Sequence, residues 1–377
     1  MQLTQEIYDY IARHSEEAYQ LLLELARIPA PSNHEELRAE FCCRWLREQG
    51  AEGVYIDDAL NVIYPVGCTD ENPLVVFMAH SDVVFPDTEP LPLTVQEGKI
   101  FCPGVGDDTA NVVALLMAAK YIARHGLAPS DRGVLLVVNS GEEGLGNLKG
   151  TRHLMEKFGS RVQEFVTFDL YANQIVDQAV GSHRYSIGIH TEGGHSYNAF
   201  GNRNAIAAMA ELIGQLYAVE LPPEGKTTYN VGTIQGGTSV NTIAQYAEIL
   251  YEFRSDCRES LAAMERQFEA IIAGFRARGF DIRVNVAGVR PCSGNVDESR
   301  HQAMKNRAAE VIRRHYGLDV LLNSGSTDCN IPLSLGIPAI CVGCVVGGGA
   351  HTREEYVEID SLRPGLAVAA ELILHHF

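Results

Sequence analysis

Residues 74–82 read Leu-Val-Val-Phe-Met-Ala-His-Ser-Asp, an unbroken apolar run that leads straight into His80 and Asp82. A short run with no polar alternation, bounded by turn residues, is the pattern of a strand buried on both faces, as in parallel sheets. Residues 61–66, 134–138, 165–168 and, much later, 339–346 repeat it. Helical patterns separate these runs, notably 109–125, stopped by Gly126, and 304–316, stopped by Gly317. Over residues 4–50 apolar residues also recur at helical spacing (Ile7, Ile11; Leu22, Leu25, Ala26; Leu37, Phe41, Trp45, Leu46), broken at 28–32. The expected fold is therefore α/β: a mixed, mostly parallel sheet with helices on both faces.

Residues 184–290 read differently. Strand 184–191, helix 203–217, strands 227–235 and 245–254, helix 259–278 and strand 280–289 occur in the order β-α-β-β-α-β. That is the ferredoxin-like pattern. It predicts an inserted α+β lid domain at 184–290, inside a larger domain made of 1–183 and 291–377.

Composition narrows the function. The chain has 377 residues, 46% hydrophobic and 21% charged, which is ordinary globular usage and suits two or three domains. Its formal net charge of −18 repels phosphate backbones and anionic headgroups, so neither nucleic acid nor a membrane is an expected partner. The first residues carry no basic segment followed by an apolar run, and no stretch approaches ~18 uncharged apolar residues. Nine cysteines, an odd number with several in apolar runs, read as reduced core thiols, and a cytoplasmic location is the resulting expectation. Cys341 and Cys344 form a CxxC without a second pair, which reads as core packing.

The chemistry lies just beyond each apolar run. The run from Leu74 ends at His80 and Asp82; 134–138 leads to Glu142 and Glu143; 165–168 ends at Asp169; and 339–346 leads through Gly347, Gly348 and Gly349 to His351. Asp107 and Asp108 come after Pro103-Gly104-Val105-Gly106 at the start of a helix. Ligands bind at the carboxyl ends of the strands in open α/β sheets, so these groups should share one crevice. Imidazole and carboxylate together suit zinc, with cobalt or manganese as alternatives. A carboxylate shared between two ions would leave each with three protein ligands and open positions, as catalytic sites require. One of the adjacent glutamates can then ligate while the other moves a proton. Taken singly, Asp107 or Asp108 reads as a helix N-cap and the glutamate pair as turn residues; the coincidence at five places favours a metal centre. A dinucleotide site fits poorly, because Gly104-Val105-Gly106-Asp107 lacks the third glycine and puts two negative charges where a pyrophosphate would sit.

The segments MAHSDVV, PGVGDDTANVVALL, SGEEGLGNLKG, FVTFD and GGGAHTREEYVEI resemble, in order and spacing, the metal-site motifs of the co-catalytic di-zinc exopeptidases. That family includes peptidase T, carboxypeptidase G, aminoacylase and succinyl-diaminopimelate desuccinylase. GGHSYNAFGNRNAI, YNVGTIQGGTSVNTIAQYAEILYEFRSD and GSTDCNIPLSLGIP extend the resemblance over nearly the whole chain. It implies two divalent ions, most readily zinc, bridged by Asp107, with His80 and Asp169 completing one site and Glu143 and His351 the other. Glu142 would be the general base and Asp82 the residue that orients His80. From the lid, His195 would steady the oxyanion, while Asn241 and Arg254 would grip the substrate's carboxylate or backbone.

An aspartate at position 169 is more usual in the peptidases of that family than in its deacylases. The resemblance therefore implies a peptidase T-like aminopeptidase acting on short peptides, with an N-acyl amino acid amidohydrolase or a carboxypeptidase as the alternative. An inactive peptide-binding protein would lack a ligand or the base, and all are present. A homodimer, where one forms, would use the lid, with His195 able to reach the partner's site. The chain departs from the family at Thr109-Ala110, where Lys-Gly is common, and at Leu170, where glycine is frequent.

Overall fold

The structure is a computed structural model that describes residues 2–377. Helices α1 (Gln5–Arg27) and α2 (Glu36–Glu48) precede strands β1 (Tyr55–Ile56), β2 (Val62–Val66), β3 (Leu74–His80), β4 (Thr94–Gln96) and β5 (Lys99–Phe101). Next come α3 (Ala110–His125), β6 (Gly133–Asn139), α4 (Lys149–Phe158), β7 (Val162–Phe168) and β8 (Gln174–Ala179). The middle of the chain holds β9 (Gly181–His190), β10 (Gly194–His195), α5 (Ala205–Tyr217), β11 (Thr227–Gly236), β12 (Thr242–Ile243), β13 (Tyr246–Ser255), α6 (Arg258–Ala277) and β14 (Asp281–Arg290). Last are α7 (Glu298–Tyr316), β15 (Leu321–Gly325), α8 (Asn330–Ser334), β16 (Ala339–Val342), β17 (Gly347–Gly348), β18 (Tyr356–Glu358) and α9 (Ile359–Leu374).

The chain forms two compact units. One runs to Ala179 and resumes over Gly294–Phe377; the other is Val180–Ser293. The first is built on an eight-stranded sheet of order β1-β2-β6-β3-β7-β16-β8-β15. Its centre is parallel: β3 pairs with β6 and β7, and β7 with β16. All seven residues of β3 and all seven of β6 are buried. Val75, Phe77 and Ala79 pack into one apolar cluster with residues of α1, α2, α3 and α9, while Leu74, Val76 and Met78 pack into another with α4 and α8. The period of two thus serves both faces, and the unalternating apolar run is explained.

Sequence reading missed β8, β15 and a four-stranded sheet of order β17-β18-β5-β4. The last is made of two- and three-residue strands from distant parts of the chain, too short to show a period. The strand expected over 339–346 ends at Val342. Helix α2 also departs in part from the expected face: Leu37 is 55% exposed, whereas Arg38 is 1% exposed.

The second unit contains an antiparallel sheet of order β11-β13-β9-β14. Helices α5 and α6 supply Met209, Leu212, Met264 and Phe268 to a core shared with Ile187, Ile249 and Phe253 of the strands. Asn204 caps α5, its side chain accepting from the N–H groups of Ile206 and Ala207.

Candidate metal centre

Because β3, β6, β7 and β16 run parallel, their carboxyl ends emerge at one edge. His80 closes β3, Asp169 directly follows β7, and Glu142 and Glu143 follow β6 through a Ser140-Gly141 turn. Asp107 comes from the turn Val105–Thr109 that opens α3, where the Asp107–Asp108 peptide is cis. Gly104 starts that turn at φ 74°, and a Cβ there would lie 2.2 Å from Cγ1 of Val83. His351 sits at the exposed rim with φ 64°, a left-handed conformation that costs a side-chain-bearing residue ~1–2 kcal/mol.

The five expected ligands meet. His80 Nε2 lies 3.0 Å from Asp107 Oδ1 and 3.8 Å from Asp169 Oδ1. His351 Nε2 lies 3.2 Å from Asp107 Oδ2 and 3.0 Å from Glu143 Oε1. Each oxygen of Asp107 therefore faces a different histidine, and each histidine has a second carboxylate of its own. His80 Nδ1 is 3.0 Å from the Asp82 carbonyl oxygen. A proton donated there leaves the Nε2 lone pair free toward the carboxylates, the tautomer a metal ligand needs.

The electrostatics call for cations. Burial opposes a charge on His80, but Asp108, Asp107, Asp82 and Asp169 outweigh it and raise its pKa well above the ordinary value. Burial, then the charges of Asp107 and Asp108, push Asp169 well above the usual carboxylate range. Asp169 Oδ1 is moreover buried without a hydrogen-bond donor among the described residues, an arrangement that is costly unless a cation satisfies it. The residues therefore fit a divalent metal.

Asp108 also offers an oxygen within 4.8 Å of ligand atoms of His80 and Asp169. Both of its oxygens are engaged, however: Oδ2 accepts the His80 N–H at 2.8 Å and Oδ1 the Asn111 amide at 2.6 Å. Neither aspartate caps α3, whose N-cap is Thr109 without a side-chain bond to the helix. The reading of the acidic pair as a helix cap falls on that geometry.

Asp82 engages more than His80. Its carboxylate is 3.5 Å from His80 Nδ1, farther than its own carbonyl. The carboxylate also accepts the N–H of Glu142 at 3.0 Å and of Glu143 at 2.9 Å, and the Ser32 hydroxyl at 2.7 Å. Asp82 thus meets His80 with both its carbonyl and its carboxylate, and holds the two glutamates through the same carboxylate.

In the second unit, His195 stands opposite Thr242, and the Ser196 N–H donates to the Asn241 carbonyl at 3.0 Å, so His195 and Asn241 share one corner. Arg254 does not join them. Along β13 it lies eight residues beyond Tyr246, the rung nearest that corner, or ~26 Å at ~3.3 Å per residue. Its guanidinium is bidentate to Glu252, with Nε to Oε1 at 2.9 Å and Nη2 to Oε2 at 3.1 Å.

Glu355 was missed at the sequence level. Its carboxylate accepts the N–H groups of Gly104 and Gly106 at 2.8 Å and of Asp107 at 2.7 Å, clamping the loop that presents Asp107. Burial, and then Asp107, raise its pKa to about 7. Only the pairing of β18 with β5 brings it there, and no local pattern announces it.

Comparison with known proteins bears on the family and the fold. The model of peptidase family M20/M25/M40 matches residues 76–375. A succinyl-diaminopimelate desuccinylase of Paraburkholderia xenovorans is 22% identical over 316 residues, 77% of this chain and 80% of the relative. The crystal structure of aminopeptidase PepT from Bacillus cereus superposes with a TM-score of 0.73 at 22% identity, covering 96% of this chain and 98% of that one. An M20 family metallo-carboxypeptidase from Sulfolobus solfataricus gives 0.75 at 15% identity, covering 96% and 99%.

Proposed function

The chain belongs to peptidase family M20/M25/M40, and from that membership we propose a di-zinc exopeptidase that removes the first residue of short peptides. The observation that carries the reading is Asp107, whose two oxygens face His80 and His351 at 3.0 and 3.2 Å. His80, Asp107 and Asp169 would hold one ion, and His351, Asp107 and Glu143 the other. When bound, such ions polarise a carbonyl and make water acidic enough to supply a nucleophile at neutral pH.

The rest belongs to side chains of this chain. Glu142, its N–H fixed by Asp82, takes the proton of the attacking water and returns it to the leaving amine. His195 donates to the oxygen that becomes negative in the transition state. Arg254 and Asn241 bind the substrate's carboxylate and backbone, and for Arg254 this means exchanging Glu252 for the ligand. Because Arg254 is ~26 Å of strand away from the corner of His195 and Asn241, one copy of the second unit cannot offer both to one short peptide. A homodimer, in which His195 and Asn241 serve the partner's centre, reconciles them.

The desuccinylases among the relatives favour a second reading, hydrolysis of N-acyl amino acids at the same centre. An unblocked tripeptide and its N-acetylated twin, incubated with zinc-loaded protein and analysed by mass spectrometry, separate the two. Release of the first residue from the unblocked peptide alone, abolished by chelator, is expected. Cleavage of the acetylated twin instead selects the amidohydrolase or carboxypeptidase reading.

A further inference from the structure

Helix α2 leaves Leu37 more than half exposed and turns Arg38 inward, which forfeits leucine burial and places a cation in the interior. Arg38 makes no ion pair among the described residues. Its donors reach neutral oxygens: Nε the Ile28 carbonyl at 2.8 Å, Nη1 the Ser81 carbonyl at 2.9 Å and the Thr109 hydroxyl at 3.0 Å, Nη2 the Ala26 carbonyl at 3.5 Å. Ser81 lies between His80 and Asp82, and Thr109 follows Asp107-Asp108. One planar fork therefore joins two ligand-bearing loops to the end of α1. A buried guanidinium facing only neutral acceptors is expensive. Here the nearby charges of Asp82 and Glu355 favour the cation.

Two neighbours act on the third loop. Glu35 Oε1 accepts the N–H of Asn33 at 2.7 Å and of Gly141 at 2.9 Å, and Ser32 donates to Asp82 Oδ2 at 2.7 Å. The successive N–H groups of Gly141, Glu142 and Glu143 thus end on Glu35 and Asp82.

We propose that Arg38 and Glu35 are positioning residues of the metal centre: they touch neither ion nor substrate, and they fix the loops that present His80, Asp107 and the Glu142-Glu143 pair. The inference rests on the proposed metal centre. Both residues precede the stretch matched by the family model.

Cobalt(II) titration of metal-free protein, followed by visible absorption and by calorimetry well below the thermal midpoint, tests it. Arg38→Lys keeps the charge and loses the fork, and Glu35→Ala frees the Gly141 N–H. Each is expected to weaken cobalt binding roughly 10–100-fold. Arg47→Lys, on the same helix and bonded only to the Val54 carbonyl, is expected to bind as the parent does. Should Arg38→Lys or Glu35→Ala not fold, Glu35→Asp, which keeps the charge and draws the acceptor back from the Gly141 N–H, carries the test, with a few-fold loss expected. Variants that bind cobalt as tightly as the parent while melting lower would overturn the positioning role and leave the metal centre standing. A parent that binds no cobalt overturns both.

Discussion

Asp107 faces one histidine with each oxygen, and that division of labour depends on residues that never meet a metal. Glu355 pins the loop before it, and Asp82 pins the loop bearing Glu142 and Glu143. Glu142 itself is placed by its backbone, so altering its carboxylate need not disturb the ligands. Glu142→Gln is expected to keep the parent's metal content by elemental analysis while kcat falls roughly 10²–10⁴-fold, the usual contribution of a general base. Undiminished turnover would remove Glu142 from that role. At this scale the residue types at the strand ends were legible in the sequence, because His, Asp and Glu next to apolar runs are conspicuous. The further partners of Asp82 were not, since an aspartate at a strand end looks the same whether its carboxylate meets an imidazole alone or two peptide N–H groups as well.

Strands β3, β6 and β7 could be read from the chain because burial on both faces leaves a dense apolar signature. The turn Val105–Thr109 had no such signature beyond its glycines, yet it depends on them. Gly104→Ala places a methyl against Val83 in a left-handed residue. It is expected to cost ~1–2 kcal/mol in backbone conformation and ~1–3 kcal/mol in overpacking, read as a lower denaturant midpoint with unchanged slope. Weaker metal binding should accompany it, because the same turn carries Asp107. Helix α2 is where periodicity misled in part: of Leu37, Phe41, Trp45 and Leu46, Phe41 and Leu46 are buried while Leu37 is exposed. The buried face contains an arginine, Arg38, because carbonyls of α1 and β3's exit need a donor there.

Two properties belong to the whole chain. His376, at the carboxyl end, packs edge-on to Phe77 and lies between Arg132 and Arg307, with Glu164 at 3.9 Å. Burial, then Arg307, His375 and Arg132, push its pKa down to about 3. The folded state therefore binds this proton less readily than the unfolded chain, whose histidine titrates at ~6.5. Its contribution is fully present above that pH and is lost as pH falls toward about 3. The thermal midpoint of His376→Gln should accordingly fall less than the parent's between neutral and acid pH. The second concerns the proposed homodimer. If His195 serves a partner's centre, two inactive variants, His195→Ala and Glu142→Ala, should regain activity when mixed and allowed to exchange subunits. Two variants that stay inactive while demonstrably forming mixed dimers would place His195 in its own chain's site. The sheet, its two covered faces and the His, Asp and Glu residues that meet at one sheet edge were written in local order, because strand burial and strand-end chemistry repeat along the chain. The inward Arg38, the Glu355 clamp and the separation of Arg254 from His195 were settled only by folding. Each depends on which distant segments become neighbours, and a buried polar group takes its role from the partner it finds there.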